Sequence, residues 1–89
     1  MRVVWSPSSL RDVHHIYNYI ARFNPRAAED LARELVAAGD SLTAFPYRGR
    51  AVPGTDLREW TLVYPYIVRY RIARSEVRIL RVRHGMRRG

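Results

Sequence analysis

The sequence predicts an α+β domain of the order β-α-α-β-β-β, in which a helical hairpin packs on one face of a small, mainly antiparallel sheet. Three observations lead to this prediction. The chain has 89 residues, which is enough for a single domain over residues 1–89. Two stretches in the first half repeat apolar residues at helical spacing, and from residue 58 onward the apolar period changes to two.

The first half of the chain supplies a short strand and two helices. Residues 3–5 are β-prone, and a strand this short must join the sheet because it is not stable alone. Ser6-Pro7 and Asn24-Pro25 each combine a capping side chain with a proline suited to the first turn of a helix. The first helix has an apolar stripe of Leu10, Val13, Ile16, Tyr17, Ile20 and Phe23. The second has a stripe of Ala28, Leu31, Ala32, Leu35, Ala38 and Leu42, and it ends at Phe45-Pro46.

The second half of the chain supplies the remaining strands. Residues 47–56 show no clear period and predict a loop or a ragged edge segment. Alternation predicts strands over residues 58–64 and 66–72, separated by Pro65, and a tight turn at Arg74-Ser75 leads to a last strand over residues 76–84. Residues 85–89 form a basic tail.

The last predicted strand has a mixed apolar pattern. Val77 and Ile79 have one parity, whereas Leu80 and Val82 have the other. We interpret this as a central strand with both of its faces partly covered.

Charge is distributed unevenly along the chain. The formal net charge is +8, from 16 basic and 8 acidic residues, and every basic residue is arginine. Residues 1–68 contain 8 arginines and 7 acids, whereas residues 69–89 contain 8 arginines and Glu76 alone, a net charge of +7. A localised basic patch indicates an anionic partner, such as nucleic acid, an acidic protein or a membrane surface.

Several classes of protein are excluded or disfavoured. There is no cysteine for a disulfide framework, and no apolar run reaches the ~18 residues of a membrane span, so we expect a soluble, cytoplasmic protein. No glycine-rich phosphate loop is present. His14 and His15 are adjacent and diverge on a helix, and His84 is distant in sequence, so we expect neither a metal nor a cofactor.

The predicted strands place arginines together. Arg69 and Arg71 share a face of one strand, Arg81 and Arg83 share a face of the next, and we expect Arg58 from the strand before to join them. Guanidinium groups bind phosphate or carboxylate oxygens in bidentate pairs, so the cluster predicts an anion-binding face. The alternative, an arginine-rich surface that is merely solvated, explains the residue type but explains the clustering less well. Histidine is a common general base in enzymes, which makes His84 a candidate general base for RNA cleavage or else an ordinary surface histidine.

Five segments together resemble the RelE/ParE toxins of bacterial type II toxin–antitoxin systems. They are the opening Val-Val-Trp-Ser-Pro, the helix end Ile-Tyr-Asn-Tyr-Ile-Ala, the loop Pro-Tyr-Arg-Gly-Arg, the strand Tyr-Pro-Tyr-Ile-Val-Arg-Tyr-Arg-Ile and the closing Val-Arg-Ile-Leu-Arg-Val-Arg-His-Gly. The resemblance implies the same β-α-α-β-β-β domain and an antitoxin whose C-terminal segment wraps the toxin.

The resemblance leaves two activities open. RelE-like members cut mRNA on the ribosome, and for that activity the candidate catalytic residues here are His84, Arg81, Arg69 and Arg50. ParE-like members poison DNA gyrase, and the ending with His84, Gly85 and Arg88 is more similar to that branch. The chain has no lysine and no tyrosine after Tyr70, so a complete nuclease set cannot be mapped.

We therefore expect a ParE-like gyrase poison, with the ribosome-dependent nuclease as the alternative and a non-toxic nucleic-acid-binding module as a third hypothesis. The resemblance implies that an acidic antitoxin segment is the first partner. The residues expected to bind the antitoxin or the target are Arg58, Arg69, Arg71, Arg81, Arg83, Arg87 and Arg88.

Overall fold

Two helices lie on one face of a five-stranded mixed sheet, as the sequence predicts. The computed structural model describes residues 1–85. The elements are β1 (Arg2–Trp5), α1 (Pro7–Ala21), α2 (Pro25–Asp40), a 3₁₀ turn (Ser41–Thr43), β2 (Arg50–Ala51), β3 (Leu57–Val63), β4 (Tyr66–Ala73) and β5 (Glu76–His84). The strand order is β1-β5-β4-β3-β2; β1 runs parallel to β5 and the other pairs are antiparallel.

Both helices begin where the capping signals predict. The Ser6 hydroxyl accepts a hydrogen bond from the Ser9 backbone N–H (3.0 Å), and the Asn24 side chain accepts one from the Ala27 N–H (3.0 Å). A proline follows each cap in the first turn, where its missing N–H has no cost. The predicted loop over residues 47–56 is confirmed as irregular, with the two-residue β2 at its centre.

The core lies between the helices and the two central strands. Its fully or nearly buried apolar residues are Val13, Ala28, Leu35, Leu42, Val68, Tyr70, Val77, Ile79 and Val82. Those from β4 and β5 pair across the ladder, so one face of the sheet supplies them and the other face stays uncovered by the helices. We call the second face the open face.

A β-bulge in β5 explains the mixed parity of its apolar residues. Tyr70 pairs with Ile79 and Arg69 pairs with Arg81, so Leu80 is an extra residue between them. The bulge returns Val82 to the core beside Val77 and Ile79. The interpretation of a strand covered on both faces is therefore wrong, because the parity change comes from the inserted residue.

Tyr70 anchors the loop that follows the 3₁₀ turn. Its side chain is fully buried; its hydroxyl donates to the Pro46 carbonyl (2.7 Å) and accepts from the Gly49 N–H (3.0 Å). A Cβ at Gly49 would lie 2.6 Å from that hydroxyl, so glycine is required for this approach. Burial raises the pKa of Tyr70 above its usual value of 10.0. The phenol thus holds residues 46–49 against the sheet.

Replacing Tyr70 by phenylalanine tests this anchor. Tyr70→Phe removes the hydroxyl and leaves the Pro46 carbonyl and the Gly49 N–H without it, so we expect the free energy of unfolding to fall by ~1–3 kcal/mol. The control is Tyr64→Phe at the most exposed tyrosine (78%), where a change within ~0.5 kcal/mol is expected. Urea denaturation measures both, and equal effects would contradict the anchor.

The same variant has a predicted pH dependence. The folded pKa of Tyr70 is raised, so its stabilising effect is complete below about pH 10 and is lost as the pH rises. The difference in stability between the wild type and Tyr70→Phe should therefore shrink in alkaline solution. A difference that stays constant above pH 10 would show that ionisation of Tyr70 is not linked to folding.

Candidate functional site

The open face carries arginines on four of its five strands, and β3 contributes Glu59 to it. Cross-strand partners share a face, and the register pairs Arg50 with Glu59, Glu59 with Arg69, and Arg71 with Arg78. The arginines of the open face are Arg2, Arg50, Arg69, Arg71, Arg78 and Arg83. Of the five strand arginines that the sequence placed together, Arg69, Arg71 and Arg83 meet on this face.

Two glutamates lie between these arginines and reduce their mutual repulsion. Glu59 accepts from Arg69 through two nitrogens (2.9 and 2.6 Å) and from Arg50 (3.2 Å). Glu76 accepts from Arg2 (2.9 Å) and Arg78 (2.9 Å). The side chains of both glutamates are less than one-sixth exposed, which strengthens these pairs relative to fully solvated ones.

The remaining arginines of the open face are less neutralised. The Arg71 Nε lies 3.6 Å from the Asp56 carboxylate, is buried and makes no hydrogen bond. Arg83 has no ion pair with any residue in the described part of the chain and is exposed. The open face therefore has three carboxylates for six arginines and keeps a net positive charge.

Arg81 pairs with Arg69 across the ladder, but its guanidinium turns to the margin of the sheet, beside α1. Its guanidinium binds Asp12 of α1 through two hydrogen bonds (2.8 and 3.1 Å), and Asp12 also accepts from the Val82 backbone N–H (2.8 Å). The hydrogen bonds and charge of Asp12 raise the pKa of Arg81. β1 pairs only with residues 76–79 of β5, and Asp12 accepts the hydrogen bond of a β5 backbone N–H beyond that point.

Arg58 lies on the helix-facing side of the sheet, so the prediction that it joins the arginine face is wrong. It pairs with Tyr70 across the ladder and shares the parity of Trp60, which packs against the core. Its guanidinium donates to the Gly49 carbonyl (2.7 Å) and lies over the Tyr47 ring (5.1 Å). The parity of residues 58 and 60 in the sequence already carried this information.

His84 also lies on the helix-facing side. It pairs with Tyr66, and the two rings meet edge to face with centroids 5.4 Å apart. Two of the other nuclease candidates, Arg50 and Arg69, project from the opposite face. The four candidates are therefore not brought together, although each remains exposed or partly exposed. Arg87 and Arg88 lie outside the described residues.

The sequence did not reveal a cluster of aromatic and arginine side chains beside the loop at residues 45–49. The Arg48 guanidinium lies over the rings of Phe45 (4.9 Å) and Trp60 (4.4 Å), next to the Arg58 and Tyr47 pair. We call Phe45, Tyr47, Arg48, Arg58 and Trp60 the aromatic–arginine platform. Its sequence signal was the run Phe-Pro-Tyr-Arg followed by an Arg-x-Trp strand.

A shallow groove lies on the helical hairpin. It has a volume of about 330 Å³ and is lined by Leu10, Val13, His14 and Tyr17 of α1 and Ala32 of α2. Its walls are mainly apolar. No helix among residues 1–85 is long and apolar enough to cross a membrane. Nor does that part of the chain gather three histidine, aspartate or glutamate side chains into a possible metal site.

Acid titration tests the glutamates of the open face. The hydrogen bond from Arg2, followed by that from Arg78, lowers the pKa of Glu76 below its usual 4.5. Its stabilising effect is therefore present above about pH 4.5 and is lost as the pH falls. In Glu76→Gln we expect a lower thermal midpoint at neutral pH and a shallower loss of stability on acidification. Glu34→Gln, on the exposed side of α2, is the control and should follow the wild type; identical curves for all three proteins would contradict the prediction.

Comparison with known proteins identifies the family. A family model described as "ParE toxin of type II toxin-antitoxin system, parDE" matches residues 3–89. Toxin RelE2 of Caulobacter vibrioides is 44% identical over 86 residues, covering 97% of each chain. Toxin RelE1 of the same organism is 38% identical over 87 residues, covering 94% of this chain and 92% of the relative.

A further relative and a solved structure agree with these matches. The putative toxin Y4kP of Sinorhizobium fredii is 37% identical over 85 residues, covering 94% of this chain and 88% of the relative. A chain of the solved "Chromosomal ParDE TA system from P. aeruginosa" has a TM-score of 0.84 at 24% identity, covering 94% of this chain and 95% of that one, which supports the fold. Because the family model spans nearly the whole sequence, the chain belongs to the RelE/ParE family of toxins from type II toxin–antitoxin systems.

Proposed function

We propose that this toxin poisons DNA gyrase and that an acidic segment of its cognate antitoxin neutralises it. The observation that carries the gyrase proposal is the separation of the nuclease candidates. His84 lies on the helix-facing side of the sheet, whereas Arg50 and Arg69 lie on the open face. A general base and the groups that stabilise a developing phosphate charge must reach the same few ångströms of substrate.

The ion pairs of these arginines support the same proposal. Arg50 and Arg69 share Glu59, and Arg81 is bound by Asp12. A guanidinium already neutralised by a carboxylate contributes less to a new anionic transition state unless that pair opens. A nuclease built from these residues would have to open several ion pairs at each encounter with substrate. Inhibition of gyrase by binding makes no such demand. The proposal places the protein in the cytoplasm, where gyrase acts.

The ribosome-dependent nuclease is the second candidate. The names of the relatives, RelE2 and RelE1, favour it. Membership of a toxin family leaves the third hypothesis, a non-toxic nucleic-acid-binding module, without support.

The antitoxin proposal rests on charge and on the groove. Six arginines face three carboxylates on the open face, so an acidic segment would complete the neutralisation. The groove between α1 and α2 offers apolar walls for the anchors of an amphipathic segment. Arg87 and Arg88 stay in the predicted contact set, together with Arg69, Arg71 and Arg83.

The gyrase proposal predicts the outcome of a paired assay. Purified toxin should inhibit supercoiling by gyrase and accumulate cleaved DNA complexes, and it should leave translation in a reconstituted system intact. His84→Gln should retain this inhibition within about twofold, because no step uses the imidazole as a base. The thermal midpoint of the variant is measured alongside, since His84 packs on Tyr66. Cleavage of ribosome-bound mRNA that is lost in a folded His84→Gln variant would replace gyrase poisoning with the nuclease.

The antitoxin proposal predicts a position-dependent effect of charge reversal. Arg71→Glu combined with Arg83→Glu should weaken binding of the cognate antitoxin by at least about tenfold, because two favourable charge contacts become repulsive. Arg22→Glu combined with Arg26→Glu changes the net charge equally at the α1–α2 connection, away from the sheet. Calorimetric titration compares the two proteins. Equal weakening would show that only net charge matters, and no weakening in the sheet variant would exclude the open face.

A further inference from the structure

The aromatic–arginine platform differs from the open face in how its cations are held. On the open face, carboxylates bind most of the guanidiniums. On the platform, Arg48 donates to the Ser41 hydroxyl (3.3 Å) and Arg58 donates to the Gly49 and Tyr47 carbonyls (2.7 and 3.5 Å). Neither has a carboxylate partner in the described part of the chain, so both positive charges are uncompensated.

The rings of the platform are exposed although they contact cations. Phe45 is 59% exposed and Tyr47 is 62% exposed. Each ring has a guanidinium over it, at 4.9 Å from the Phe45 centroid and 5.1 Å from the Tyr47 centroid. The large remaining exposure leaves ring surface in solvent, where a flat ligand could stack.

The fold holds the backbone of the platform in place. The Tyr70 hydroxyl fixes the backbone of Pro46 and Gly49 on either side of Tyr47. Arg58 and Trp60 lie two residues apart on the same side of β3, beneath this loop. Because this backbone is held in place, a ligand would order less of the chain on binding, which reduces the conformational entropy that is lost.

From these observations we infer that the platform binds single-stranded nucleic acid. The phosphates would bind Arg48 and Arg58, and unpaired bases would stack on Phe45 and Tyr47. A nucleic-acid strand presents anionic oxygens and flat rings at regular intervals, which is the combination that the platform complements. A run of acidic residues alone, as in polyglutamate, presents the charge without a flat ring and leaves the exposed rings unused. The inference concerns a surface separate from the proposed antitoxin contacts of the open face.

Binding of an oligonucleotide to the full chain tests the inference. The probe is a fluorescent oligothymidylate of about 12 nucleotides, within the site size of single-strand-binding proteins. Tyr47→Ala should weaken its binding about 5- to 150-fold, which corresponds to the loss of one stacked base. Tyr64→Ala removes a more exposed tyrosine (78%) from the turn between β3 and β4, and it should change binding by less than about twofold.

Two further comparisons separate stacking from charge. An abasic strand of the same length carries the phosphates without the bases, and it should bind the wild type at least as weakly as the oligothymidylate binds Tyr47→Ala. Arg48→Gln should reduce the slope of the logarithm of the binding constant against the logarithm of salt concentration by the amount expected for about one phosphate contact. Polyglutamate should compete poorly with the oligothymidylate. A matched oligouridylate shows whether DNA or RNA is preferred, because only RNA carries the 2′-hydroxyl.

Three results would overturn the inference: equal effects of Tyr47→Ala and Tyr64→Ala, abasic binding as tight as that of the thymidylate, or equally effective competition by polyglutamate. Thermal unfolding confirms that each variant is folded. The outcome is independent of the gyrase proposal. A toxin that does not bind nucleic acid can still inhibit gyrase, and a toxin that binds nucleic acid can leave gyrase active.

Discussion

The inserted residue in β5, together with the Asp12 carboxylate beside it, determines which way the side chains of β5 beyond Ile79 face. With regular pairing beyond Ile79, Arg81 and Arg83 would project toward the helices and Val82 would project to the open face. The bulge at Leu80 reverses this, because Val82 pairs with Val68 inside the core and Arg83 projects outward. Asp12 binds both the Arg81 guanidinium and the Val82 N–H, and so fixes α1 to the residues that follow the bulge.

The sheet carries two kinds of arginine site. The open face places guanidiniums next to carboxylates, which allows them to lie close together and leaves a net positive surface for an acidic partner. The helix-facing side places Arg48 and Arg58 against aromatic rings and neutral oxygens beside the loop that Tyr70 fixes. The same residue type therefore serves two different surfaces, and the uneven charge along the chain gives no indication of the second one.

The fold was largely predictable because its signals are local. The caps at Ser6 and Asn24, the helical stripes and the alternation in β4 each depend on a few neighbouring residues. The site was less predictable because it depends on register. A period-two pattern does not indicate where a single extra residue is inserted in β5. The arginine–aromatic contacts join residues 45–48 to β3, and their sequence separation gives no sign of this contact. The parity of Arg58 in the sequence places it on the same side of β3 as Trp60. The expectation that basic residues gather on one surface led to the opposite placement.

NMR of the arginine Nε–Hε groups in the full chain tests whether the sheet sorts its arginines into two surfaces with different ligands. We expect an acidic segment of the antitoxin to shift the signals of Arg71 and Arg83, and an oligothymidylate to shift those of Arg48 and Arg58. If both titrants perturb all four signals alike, the two surfaces are not distinct.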